Sequence, residues 1–79
     1  MKVHELVNWL TEKRIRVQTF NRVKKDEIYI GLDDFLSLSV HYTDKTRKIS
    51  RIVLNNVEYK FSNKQNIDIF LERLNDLYT

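Results

Sequence analysis

Apolar and polar residues alternate through most of the middle of this chain, and apolar residues recur at helical spacing near its two ends. The clearest stretch runs from Ile49 to Leu77. Residues 49–54 and 57–61 favour extended structure, and Asn55-Asn56 between them tolerates the positive φ of a two-residue hairpin turn. Pairing Leu54 with Val57 puts Ile52, Leu54, Val57, Tyr59 and Phe61 on one face of that hairpin. Ile49, Arg51, Val53, Glu58 and Lys60 then share the other. Ser62, with Gln65 three residues on, has the capping-box pattern. The spacing predicts a helix starting there, with Ile67, Phe70, Leu71, Leu74 and Leu77 as its apolar stripe.

At the other end, Val3, Leu6, Val7 and Leu10 predict a helix over 3–13, and Arg14 would fall on its apolar side if it continued. Trp9 sits at the edge of that stripe, between Lys2 and Lys13 in projection. Residues 15–22 read as a strand with Ile15, Val17 and Thr19 on one side and Arg16, Gln18, Phe20 and Arg22 on the other. A turn at 24–26 leads to a strand over 27–32 with Ile28, Ile30 and Leu32 inward and Tyr29 outward. Asp33-Asp34 breaks that strand. Over 35–43, Leu36, Leu38, Val40 and Tyr42 point inward, while Phe35, Ser37, Ser39 and His41 point outward. The sum is an α+β domain, α-β-β-β-β-β-α, in which short connections favour an antiparallel meander carrying both helices on one face.

Composition narrows what such a domain does. Seventy-nine residues make one domain, and a chain of that length buries only about 60% of its unfolded surface, which leaves little room for a deep catalytic cavity. The absence of Cys excludes disulfides and thiolate metal sites and sits well with a cytoplasmic home. No apolar run approaches a membrane span, and Lys2 and Glu5 interrupt any signal-peptide pattern. The net charge of +3 is unevenly spread. Residues 1–25 carry seven Lys and Arg against two Glu, whereas residues 67–79 carry Arg73 against Asp68, Glu72 and Asp76.

No constellation for catalysis or cofactor binding emerges. Gly31 is the sole glycine, so no phosphate-binding glycine loop exists. His4 and His41 lie on different elements without metal-ligand spacing. Asp33-Asp34 fits turn chemistry, and Ser37 and Ser39 beside His41 lack an orienting third group. The expectation is a protein that is not an enzyme and holds no cofactor.

Two surfaces stand out instead. The outer sheet face is expected to gather Phe20, Tyr29, Phe35, Ile49 and Val53 with Arg16, Arg22, His41, Arg51 and Lys60. On the second helix, Asp68, Glu72 and Asp76 recur every four residues as an acidic stripe, with Ile69 and Arg73 beside it. A protein partner is the expected ligand. Single-stranded nucleic acid on the basic, aromatic face and a homodimer with a second copy are the alternatives. The succession of helix, meander, Asn-Asn turn, Glu58-Tyr59-Lys60-Phe61 and capped helix resembles, in outline, small proteins carried by phages and mobile elements of Gram-positive bacteria. Some phage-borne inhibitors of host defence share this layout. The resemblance implies a small, non-enzymatic accessory or inhibitor protein acting by binding, though this chain is basic where many such inhibitors are acidic nucleic-acid mimics.

Overall fold

Val3, Leu6 and Leu10 form the buried side of the first helix, α1 (Val3–Glu12), in a computed structural model that describes residues 1–32 and 36–78. Glu5 reaches back to accept the backbone N–H of Lys2 at 2.7 Å, which satisfies one orphan donor and holds the Glu5 carboxyl below its usual pKa. The helix stops where the sequence requires. Arg14 takes a left-handed φ of 60°, its N–H bonds the Thr11 carbonyl at 3.0 Å, and the Ile15 N–H bonds the Leu10 carbonyl at 2.9 Å. This is the paired-bond stop that satisfies terminal carbonyls, and the two residues flanking it, Leu10 and Ile15, are both buried. Trp9 is half-buried against the core, with the Lys13 ammonium 5.9 Å from its ring.

Five strands follow: β1 (Thr19–Lys24), β2 (Glu27–Gly31), β3 (Ser37–Tyr42), β4 (Ile49–Leu54) and β5 (Val57–Lys60). Each pairs antiparallel with the next, in the order β1-β2-β3-β4-β5. Asn55 and Asn56, at φ 50° and 67°, make the β4–β5 turn, and Leu54 pairs with Val57 as the pattern predicts. Alternation in β3 is clean: Leu38, Val40 and Tyr42 are buried, and Ser37, Ser39 and His41 face the other way.

Two phases differ from the sequence expectation. The first strand begins at Thr19 rather than residue 15, because Ile15 closes the helix stop. Phe20 pairs with Ile30 and Arg22 with Ile28, and opposed residues share a face, so both lie on the helix side of the sheet. In β4, His41 pairs with Arg51 but Tyr42 pairs with Ile49, leaving Ser50 as the extra residue of a β-bulge. The Ser50 hydroxyl donates to the His41 carbonyl at 3.1 Å. The bulge turns Ile49 inward, where it is 1% exposed.

The last helix, α2 (Lys64–Asp76), is capped one residue later than the sequence pattern indicates. Asn63, not Ser62, accepts the Asn66 N–H at 2.8 Å, while the Ser62 hydroxyl accepts from the Asn66 side chain at 3.1 Å. Phe70 and Leu74 are fully buried, but Leu77, expected in the stripe, is the C-cap and half-exposed. The Phe70 ring lies 5.3 Å from the rings of both Tyr59 and Phe61, joining α2 to the end of the hairpin. Both helices and the inner face of the sheet enclose one core.

Replacing the true cap is expected to be the costlier change. Asn63→Ala should lower stability by about 0.5–2 kcal/mol, and Ser62→Ala by less, in urea denaturation. The reverse order of midpoints would return the cap to Ser62.

Candidate functional site

The outer face is built from two cross-strand rows. Asn21, Tyr29, Ser39, Val53 and Glu58 form one, and Lys24, Glu27, His41, Arg51 and Lys60 the other. Of the residues expected to share this face, Tyr29, His41, Arg51, Val53 and Lys60 do. Phe20, Arg22 and Ile49 are on the opposite side, for the reasons given above. Arg16 is exposed in the connection that precedes β1, and Phe35 lies outside the described residues.

Among the described residues, what remains is a mixed-charge surface with one large ring, that of Tyr29. Tyr29 is 38% exposed and lies along its own strand over Gly31, where a Cβ would come within 3.5 Å of Tyr29 Cε1 and 3.1 Å of Thr19 Cβ. His41 Nδ1 stands 3.9 Å from Glu27 Oε1, and Arg51 Nη1 is 3.3 Å from Glu58 Oε1. Carboxylates thus interleave with the cations, which flattens the positive potential a polyanion would need. Among the described residues no group of three or more His, Cys, Asp or Glu side chains converges on a point where a metal ion would sit.

The two sheet edges offer more. Alternate residues of an antiparallel strand direct both backbone groups to the same neighbour. The Gly31 carbonyl accepts from Gln18 N–H at 2.8 Å, so Gly31 and Tyr29 turn toward β1 and their partners Thr19 and Asn21 turn toward β2. Phe20 and Arg22 therefore present their N–H and C=O groups at the open edge. Beside them lies a groove of about 270 Å³ between α1 and β1, lined by Val3, His4, Val7, Asn8, Phe20 and Arg47. Phe20 is 49% exposed there. Arg22 makes a loose pair with Asp44 at 3.9 Å and donates from Nε to the Lys24 carbonyl at 3.3 Å, which blunts the far end of the edge together with a bulge around Val23.

The opposite edge has its own groove, of about 290 Å³, between β5 and α2, lined by Glu58, Tyr59, Lys60, Asn66 and Ile69. Ile69 is 47% exposed, in agreement with the helical phase read from the sequence. Asp68, Glu72, Arg73 and Asp76 are exposed around it. Neither groove is visible in the residue pattern. The signal that points to them is topological: a five-strand meander necessarily leaves its first and last strands unpaired on one side.

Comparison with protein-family models, curated proteins and solved structures finds no match to this chain.

The packing predicts which aromatic residues are available for contacts. Phe20→Ala should cost only about 1 kcal/mol, since a half-exposed ring loses about half its transfer free energy and leaves no closed cavity, whereas Phe70→Ala should cost about 3–5 kcal/mol. Equal losses in chemical denaturation would show that Phe20 belongs to the core rather than to the groove.

Proposed function

We propose that this protein is a small, non-enzymatic binding module whose ligand is an extended, acidic segment of a protein partner, taken up by strand addition along β1. The observation that carries this reading is Phe20, half-exposed beside an apolar groove on a strand whose backbone groups at Phe20 and Arg22 face outward. Strand addition draws affinity from main-chain hydrogen bonds and specificity from alternate side chains entering pockets. Charge supports an acidic ligand: residues 13–25 hold six Lys and Arg and no Asp or Glu. A segment alternating apolar and acidic residues would set its apolar side chains into the α1–β1 groove, on the side that Phe20 and Arg22 share, and its carboxylates on the outer face, where Lys24 stands.

Single-stranded nucleic acid is the weaker reading. Stacking platforms use successive rings, and the outer face holds Tyr29 with Glu27 and Glu58 among its cations. The proposal includes a cytoplasmic setting and, on the outline resemblance, an accessory or inhibitory role. Among the described residues no helix is long and apolar enough to cross a membrane.

Selection from a displayed library of short linear peptides tests the proposal. Enriched peptides should alternate apolar and acidic residues, bind more weakly as salt rises, and be lost in Phe20→Asp with Arg22→Glu. Enrichment indifferent to these two substitutions would reject the β1 site. Salt-sensitive binding of labelled single-stranded DNA or RNA, lost in Tyr29→Ala with Arg51→Ala, would favour nucleic acid instead.

A further inference from the structure

We infer that β5 is a self-pairing edge, and that two copies of this chain join there in one continuous antiparallel sheet. The Phe61 N–H bonds the Ser50 carbonyl at 2.9 Å, so Phe61, Tyr59 and Val57 turn their backbone groups toward β4. Glu58 and Lys60 then turn theirs outward. An antiparallel copy related by a two-fold axis at Tyr59 sets Glu58 of each chain opposite Lys60 of the other. Both pairs are hydrogen-bonded positions, each exchanging two backbone bonds, and both oppose unlike charges on the outer face. Tyr59 meets Tyr59 at the axis, at the closer, non-hydrogen-bonded spacing.

The register is specified against its neighbours. An axis at Glu58 would oppose Glu58 to itself, and an axis at Lys60 would oppose Lys60 to itself, so the flanking arrangements carry like charges face to face. The inner side agrees. Val57 and Ile69 are 52% and 47% exposed in the single chain, beside Tyr59 and the β5–α2 groove. A second copy on this edge covers both, and such an isologous contact closes after two subunits. The other edge lacks this complementarity: β1 ends in a bulge and lies in the most basic part of the chain. The inference is independent of the ligand proposed for β1, because that site stays open in the paired form.

Sedimentation equilibrium across a dilution series tests it. Wild-type chain should approach twice its 9.6 kDa mass at the concentrated end. Glu58→Lys alone, or Lys60→Glu alone, should be monomeric with unchanged far-ultraviolet circular dichroism. Mixing the two variants should restore a dimer, because each then opposes unlike charges in the other. The double variant Glu58→Lys with Lys60→Glu should dimerise by itself. A wild-type monomer throughout the series would overturn the inference. A dimer that survives both single reversals, or single variants that stay monomeric when mixed, would equally exclude this register.

Discussion

Two short helices must cover one face of a five-strand sheet, and they are not large enough. Helices of ten and thirteen residues with a diameter of about 10 Å shade roughly 350 Å². Five strands of four to six residues present roughly 430 Å². The shortfall falls at the margins. At the centre, Ile30, Leu38, Val40 and Ile52 of the sheet and Leu6, Leu10, Phe70 and Leu74 of the helices are completely buried in one core. At the margins, Phe20 on β1 and Val57 on β5 point to the same side yet remain about half-exposed. The grooves at both edges follow from this mismatch in area, and so do the two surfaces on which a partner gains most from burial.

Central elements were legible in the sequence because one-sided burial forces strict alternation. In β3 every second residue has to be apolar, and Leu38, Val40 and Tyr42 are; the helix stop at Arg14 and the Asn55-Asn56 turn were legible for equally local reasons. What escaped was phase. The side-chain period of a strand is two, so one extra or missing residue reverses every later assignment. Counting from Ile15 placed Phe20 and Arg22 outward, but residues 15–18 are not strand, and the true count starts at Thr19. Ser50 did the same to Ile49: nothing in the run from Ile49 to Leu54 marks an extra residue, because Ser is as acceptable on a solvated face as in a bulge. The cap of α2 shifted by one because Ser62 and Asn63 are both good cap residues, and the apolar stripe behind them tolerates either start.

These phase errors bear directly on function. With Phe20 and Ile49 outward, the open face reads as a basic, aromatic platform. With both inward, it is a solvated sheet surface on which Arg51 and His41 each have a carboxylate within 4 Å. The exposed Arg51–Glu58 pair contributes little stability, within about 1 kcal/mol, yet its carboxylate and that of Glu27 offset part of the field that would attract a phosphate backbone. The interest of the molecule therefore moves from the face of the sheet to its edges, where unpaired backbone and half-covered apolar side chains coincide.

The two edges are not alike, and the difference argues for a division of labour. β1 is basic and partly blunted by its own bulge, so a ligand of opposite charge would suit it better than its own copy. β5 is short and carries one acid and one base around a central tyrosine, so its best complement is itself. Pairing through β5 would place two β1 edges at opposite ends of a ten-stranded sheet, separated by roughly 40 Å at normal strand spacing. A strand of six residues with only two outward-facing positions would hold a linear segment weakly on its own. Two such edges held at a fixed distance would bind a partner carrying two segments, or two copies of one segment, with an effective concentration set by the geometry rather than by further contacts. A chain too small to build a deep site would in this way reach useful affinity by repetition, with the same uncovered margins that limit its core serving as its contacts.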